Sequence, residues 1–336
     1  MHALNANDVR FFSGRSHPEL AAGIAAYLSV PLEPTLFKLF SNDNLYIQLG
    51  ASVRGRIVYI TQSLVHPVSD HLLELLMMLD IARGAGANQI HAIIPYYSYA
   101  RSDKKDAPRI SITARLIADL LQTAGATHVM TMTLHSPQVH GFFSVPTDPL
   151  TARHLFYRHF KEQNLNKRET IVVSPDVGRT KSAARFARML NLSVAAAQKE
   201  RISDKEVVIS GLFERQVKGY RRALIYDDEI ATGATVLKLC NLLIQCDISE
   251  IHLICTHGVF AGDALFRLSN IPQIEEIITT DTVPIPIEKR ISKLKILSVA
   301  PLFGDAIWRN STRQPIGDLF TFSEDSDDLF DEEETR

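Results

Sequence analysis

The eleven residues Ile225 to Thr235, IYDDEIATGAT, join an apolar strand to two carboxylates and then to a small-residue turn that opens a helix. Acceptors at the carboxyl end of a strand suit the hydroxyls of a pentose, which assigns Asp227 and Asp228 to a sugar. ATGAT follows. Gly233 can take positive φ, Thr232 and Thr235 bring hydroxyls, and the free amides at the start of the helix VLKLCNLLI face a dianion. With Ala231 and Ala234 completing the turn, the stretch reads as a cradle for ribose 5-phosphate. Two adjacent acids alone would equally fit an ordinary strand-to-helix turn. What favours the cradle is DD standing four residues before TGAT after a hydrophobic strand.

Such a loop needs a sheet behind it, and the chain alternates short β-branched runs with helical patterns, the signature of an α/β protein with largely parallel sheets. In the first half, RIVYITQSL reads as a strand, DHLLELLMMLDIARGAG as a helix and QIHAIIPYY as the next strand. ISITARLIADLLQTAGA and HVMTMTLH repeat the unit. The second half follows the same plan through TIVVSPDVG, KSAARFARMLN, a short strand SVAAAQKER, RALIYDD with its helix, and EIHLICTHG. Helix, small residues and a strand ending in histidine recur at AGATHVMTMTLH and CDISEIHLICTHG, which suggests duplicated halves. The prolines and polarity of PTDPLTARHLF, residues 146–156, predict a crossover between domains near residue 150. The expected division is 1–150 and 151–320, with the acidic, aperiodic residues 321–336 as a disordered tail.

Composition narrows the function classes. At 336 residues and 46% hydrophobic content the chain is long enough for about two domains with real cores. A net charge of −2 gives no global basic field for nucleic acid and nothing that marks a membrane surface. The N-terminal stretch has no apolar signal core and no run is long enough to span a bilayer, so the expected address is cytoplasmic. Cys240, Cys246 and Cys255 fit neither a zinc knuckle nor a disulfide framework and read as reduced thiols.

In order along the chain stand FFSGRSHPELA, FSNDN, SVRG, YARSDKKD, TLHSPQVHGFF, SPDVGRTK, QKER, YDDEIATGAT and THGVFAG. The ordered set resembles the ribose-phosphate diphosphokinases, the PRPP synthetases, over about residues 10 to 320. The resemblance implies two phosphoribosyltransferase-like (type I) domains, an N-terminal one carrying ATP loops and a C-terminal one holding ribose 5-phosphate. It also implies a dimer-based hexamer, magnesium, and transfer of the pyrophosphoryl group of ATP to the anomeric hydroxyl, giving PRPP and AMP.

Each motif also makes chemical sense under that resemblance. FSNDN offers the Phe40 ring to a purine, with Asn42, Asp43 and Asn44 for its polar edge. Arg101 fits a nucleotide phosphate in a bidentate way, and Ser102 and Asp103 follow it at the carboxyl end of a strand. His135 and Asp176, each just past a strand, match the family's metal ligands, although magnesium's taste for oxygen suits the carboxylate better than the imidazole. Lys199 and Arg201 match the cations that stabilise charge on a migrating pyrophosphoryl group, Arg201 also facing the sugar phosphate. ISDKEVVISGLF after them is expected to be a flap that closes over ATP.

The chain departs from the family at Asn44, Ser102, Thr133, Arg179, Ala231 and Ala234. Arg179 replaces a usual glycine, adding bulk and a cation beside the phosphate-facing turn. Ser52, Arg54 and Arg109 are retained among the family's regulatory positions, whereas Pro137, His140 and Pro149 are not the usual residues, which predicts weakened or absent phosphate activation. Two other readings stay open at this level: a noncatalytic regulatory paralogue and a phosphoribosyltransferase that consumes PRPP.

Overall fold

Strands buried on both faces need near-continuous apolar runs, and the chain supplies two sets of them. A computed structural model describes residues 2–163, 165–197, 199–201, 207–209 and 211–320. The chain forms two compact units, one of Met1–Thr151, Thr282–Pro284 and the residues from Ser298 on, the other of Ala152–Asp281 and Ile285–Leu297.

The first unit runs through β1 (Val9–Ser13), α1 (Pro18–Tyr27), β2 (Leu32–Glu33), β3 (Thr35–Leu39), β4 (Leu45–Leu49), β5 (Ile57–Thr61), α2 (Val68–Gly84), β6 (Gln89–Ile94), α3 (Thr113–Ala124), β7 (His128–Met132) and β8 (Thr147–Leu150). Its sheet has the order β2-β1-β5-β6-β7-β8, with every pairing parallel. Helix α1 starts where Pro18 needs no amide partner and the His17 ring accepts the Leu20 amide at 3.3 Å. Helix α3 stops at Gly125, whose φ of 125° only glycine takes without strain. Strands β3 and β4 pair only with each other, as an antiparallel hairpin.

The second unit contains α4 (Arg153–Lys161), β9 (Thr170–Ser174), α5 (Thr180–Leu190), β10 (Ser193–Ala196), β11 (Lys199–Arg201), β12 (Val207–Ile209), α6 (Gly211–Val217), β13 (Arg222–Ile230), α7 (Ala234–Gln245), β14 (Glu250–Gly258), α8 (Ala264–Ser269), β15 (Ile274–Thr280) and β16 (Leu294–Leu297). Its sheet order is β10-β9-β13-β14-β15-β16, again all parallel. Helices cover both faces. Val236, Leu239 and Leu243 of α7 pack with Ile225 and Leu253 on one face, while Phe186 of α5 stacks on Tyr226 at 4.6 Å on the other.

Both sheets share one order, second-first-third-fourth-fifth-sixth, as duplicated halves would. In such a sheet the connections leave in opposite directions on either side of the first strand, opening a crevice at the carboxyl ends of the first and third. The α/β class and the mostly parallel sheets flanked by helices expected from the alternation are what the chain forms.

Three local expectations change. Residues 146–156 are not a plain linker: Thr147–Leu150 forms β8 and Arg153 begins α4. Pro149 sits there because β8 is the last strand of its sheet. SVAAAQKER does not stay one strand, since β10 ends at Ala196 and Lys199–Arg201 pairs antiparallel with Val207–Ile209 in a separate ribbon. The first crossing falls at Thr151 to Ala152, close to residue 150, but residues 298–320 pack with the first unit instead of the second. The helix Ala300–Thr312 buries Leu302, Phe303, Ala306 and Ile307 and lies against α1 so closely that a Cβ on Gly304 would stand 2.3 Å from the Tyr27 ring. The tail 321–336 and residues 202–206 and 210 of the expected flap lie outside the described residues. Among the described residues no helix is long and apolar enough to cross a membrane, and Cys240 and Cys255 are buried free thiols while Cys246 is half-buried.

Candidate functional site

In the second unit the crevice lies between β9 and β13. They pair only as far as Ile225 opposite Val173. Beyond that, β13 continues beside β14 to Ile230 opposite Gly258, while the chain after β9 turns off through Asp176 into a short 3-10 turn, Val177–Arg179. The Asp176 carboxylate accepts the Arg179 amide at 3.0 Å, and its backbone carbonyl accepts the Ser174 hydroxyl at 2.8 Å. The turn is thus fixed from both sides, with the exposed Asp176 carboxylate at its start.

Side chains alternate across a strand, so Asp227 and Asp228 point to opposite faces. Asp228 falls on the Tyr226 face, which α5 covers, and there the Arg179 guanidinium meets it with Nη2 2.8 Å from Oδ2. The Asp228 side chain is 6% exposed and that of Arg179 14%. Asp227 falls on the α7 side, and its carboxylate accepts the Asp228 amide at 2.9 Å. Burial, then the neighbouring Asp228 charge, push the Asp227 carboxyl well above its ordinary value, and the Arg179 guanidinium opposes that rise. The pair therefore shares its negative charge unequally, which two like charges this close require.

Gly233 takes φ 71° at the N-cap of α7. That left-handed residue turns the chain so that Ala234 and Thr235 open the helix, exposed at its amino end together with Thr232 before it. The loop is held from behind: the Phe260 and Ala261 amides donate to the Ile230 and Ala231 carbonyls at 3.0 and 2.9 Å, and Arg267 Nη2 donates to the Thr232 carbonyl at 2.7 Å. Arg267 carries no signal in the sequence, because the reach from α8 to this loop is a tertiary contact. A helix amino terminus with a preceding pair of acids can hold an anion and a polyol side by side.

The corresponding crevice of the first unit, between β1 and β5, is filled. Gln62 lies across it, accepting the Ser16 amide at 3.0 Å and donating to Glu74 at 2.8 Å. Glu74, fully buried, is bound by the Arg15 Nε–H at 2.6 Å. A Cβ on Gly14 would come 2.3 Å from Gln62 Oε1, so the side chain fits only against glycine. Duplicated folds thus carry different side chains across the two crevices, Gln62 with Glu74 in the first unit and the Arg179–Asp228 pair in the second.

The remaining expected residues of the first unit come from three loops. Phe40 to Asn44 form the tip of the β3–β4 hairpin, closed by Phe40 N–H to the Asn44 carbonyl at 2.9 Å, with Asp43 at φ 67° and Asn42 Oδ1 accepting the Asn44 amide at 3.3 Å. The Phe40 ring is 45% exposed, flanked by Tyr46 at 5.9 Å and Lys38 at 5.1 Å. Arg101 ends the 3-10 turn Ser98–Arg101, exposed, with Ser102 and Asp103 half-buried behind it. His135 is half-buried after β7, just before the turn Pro137–Phe142. Both turns pack on α3. The side chains of Lys199 and Arg201 lie outside what is described, though their backbone forms β11.

Among the described residues no group of three or more His, Cys, Asp or Glu side chains is arranged to hold a metal ion. His135 belongs to one unit and Asp176 to the other. Asp176 fits a hard cation, being an exposed carboxylate whose Oδ1 is already oriented by the Arg179 amide.

Comparison with known proteins points one way. Residues 9–125 match the family profile described as the N-terminal domain of ribose phosphate pyrophosphokinase, and residues 215–321 match the phosphoribosyl synthetase-associated domain. The chain is 42% identical to the ribose-phosphate pyrophosphokinase of Deinococcus radiodurans, over 92% of this chain and 97% of that one. It is 40% identical to that of Caldanaerobacter subterraneus subsp. tengcongensis, over 94% and 98%. The crystal structure of phosphoribosylpyrophosphate synthetase from Mycobacterium smegmatis superposes with a TM-score of 0.85 at 35% identity, over 91% of this chain and 99% of that one.

Proposed function

The chain belongs to the ribose-phosphate pyrophosphokinase family, and from that premise we propose how its residues divide the work. It is an α/β enzyme of the type I phosphoribosyltransferase fold that makes PRPP and AMP from ATP and ribose 5-phosphate. The anomeric oxygen attacks the β-phosphorus, the bond from that phosphorus to the α–β bridging oxygen breaks, AMP leaves with that oxygen, and the hydroxyl proton is lost.

The observation that carries the assignment of the sugar site is the Asp227–Asp228 pair leading through Ala231 and Thr232 to Gly233, at φ 71°, and the amino end of α7. The 5-phosphate sits on the free amides there with the Thr232 and Thr235 hydroxyls. Asp227 and Asp228 accept from the pentose hydroxyls. ATP is the ligand of Phe40, Asn42, Asp43, Asn44, Arg101, Ser102, Asp103 and His135, the ring taking the base and Arg101 a phosphate. We take the family's divalent metal to be magnesium, which the Asp176 carboxylate would hold in its unit, His135 being the other position that matches the family's metal ligands. When bound the metal neutralises charge on the phosphate oxygens. Lys199 and Arg201 hold the negative charge that develops on the transferring group.

We propose further that the enzyme works in the cytoplasm as a homo-oligomer of dimers forming a hexamer, with weakened or absent activation by phosphate, and that the first unit serves the nucleotide and the second the sugar. Incubating the protein with ATP, ribose 5-phosphate and magnesium should release AMP only when all three are present. Lys199→Ala should lower kcat by about a hundredfold to a thousandfold. An unchanged rate removes Lys199 from the mechanism.

A further inference from the structure

The residue that least belongs where it stands is Arg179. It is the N-cap of α5, where the helix dipole disfavours a cation, and its side chain is largely buried. A guanidinium in that position is stable only against a negative partner. The partner is Asp228, at 2.8 Å and itself 6% exposed. Asp176 fixes the backbone of the same residue through its amide, so the turn aims the side chain across the crevice between β9 and β13. Two further facts tie the arginine to the sugar site. Asp228 adjoins Asp227 in the stretch that leads to α7, and the Arg179 charge acts on Asp227 as well.

Resting on the sugar site described above, we propose that Arg179 is a positioning residue that supplies, from within the chain, the countercharge of the Asp227–Asp228 pair, so that ribose 5-phosphate binds there without a divalent cation. Two adjacent carboxylates and a phosphate dianion repel one another. A binding site for such a sugar phosphate needs a cation close to the acids, from the chain or from solution. Here a buried guanidinium, shielded from bulk salt, is in place before the ligand arrives. Its hydrogen bond also fixes the direction in which Asp228 presents its carboxylate, which sets the geometry in which the pentose hydroxyls are accepted. Magnesium carried with the nucleotide is a separate requirement of the overall reaction.

The test is calorimetric titration of ribose 5-phosphate into the full chain, in EDTA and in excess magnesium chloride, for wild type, Arg179→Ala and Arg179→Lys. Wild type should bind with a Kd that changes by less than about threefold between the two conditions, whereas Arg179→Ala should bind at least about tenfold more weakly in EDTA and recover in magnesium, and Arg179→Lys should keep most of the magnesium-independent binding. In steady-state assays Arg179→Ala should raise KM for ribose 5-phosphate far more than it lowers kcat. A wild type that needs magnesium to bind the sugar phosphate, an Arg179→Ala chain that matches wild type in EDTA, or a loss that magnesium does not restore would each overturn the assignment while AMP release by the wild type still upheld PRPP synthesis. Absence of AMP release would remove both readings together.

Discussion

The left-handed backbone at Gly233 is the clearest residue-scale requirement of the proposed sugar site. Its φ of 71° lets the loop deliver the amino end of α7 to an anion, and a β-branched residue there is strained by about 1–3 kcal/mol. A Cβ at this position meets only Leu268 and Ala264 at ordinary contact distances, 3.5 and 3.7 Å, so the strain resides in the backbone alone. Gly233→Val should therefore lower the melting temperature modestly and raise KM for ribose 5-phosphate at least tenfold, roughly the cost of one displaced charge-assisted contact. A variant with unchanged KM would mean that the phosphate does not sit on this turn. Gly233 and the acid pair were legible in the sequence because turn chemistry and strand alternation are local. The Arg179–Asp228 pair was not, since it joins residues 49 positions apart. The sequence showed only that a cation stood where a glycine is usual.

At the scale of elements, α4 is pinned to the amino ends of β14 and β15 by a cluster on the opposite edge of the sheet from the crevice. His159 of α4 bonds Glu276 at 3.0 Å, His252 stands 3.7 Å from the same carboxylate and 2.8 Å from Glu250, and Arg222 meets Glu250 at 2.6 Å. Burial would raise the Glu276 carboxyl, but the His159 bond and the nearby His252 more than offset it, bringing it from 4.5 to about 2. A carboxyl depressed on folding contributes stability that is present above its unfolded value of 4.5 and is lost as pH falls towards 2. Glu276→Gln should thus melt at a lower temperature than wild type at neutral pH, and the difference should shrink as the pH is lowered through that window. A constant difference at all pH values would show that the carboxylate charge is not what pins the helix. None of the five side chains signals its partners in the sequence. The strands of Arg222, Glu250 and His252 were predicted, whereas that of Glu276 was not, and which strand lies beside which is decided by the sheet order.

For the whole molecule, the chain leaves its first unit at Thr151, rejoins it briefly at Thr282–Pro284, and returns to it for good with the helix Ala300–Thr312. Leu302, Phe303 and Ile307 are buried there, each contributing about 1.5–3 kcal/mol against exposure, a sum comparable with the whole stability of a typical domain, about 5–15 kcal/mol. The last described residues also close an edge, Phe320 bridging to Leu150 of β8 and the Leu319 carbonyl accepting the Thr151 amide at 3.0 Å. A chain ending at Leu297 should lose the protease resistance of residues 1–151 and expose apolar surface to a fluorescent dye. If that truncated chain kept both properties, the first unit would not depend on the final helix.

By itself the sequence determined the α/β class, most of the strands and helices near the proposed site, and the strand, left-handed turn and helix start from Asp227 to Thr235, because each depends on neighbours a few positions apart: alternation, helical period, and turn residues. Tertiary structure alone decided that the final helix serves the first unit, that Gln62 and Glu74 plug that unit's crevice, and that Arg179 answers Asp228. Those outcomes depend on the order in which strands lie side by side, and that order is fixed by packing and burial over the whole sheet, which no local window of residues contains.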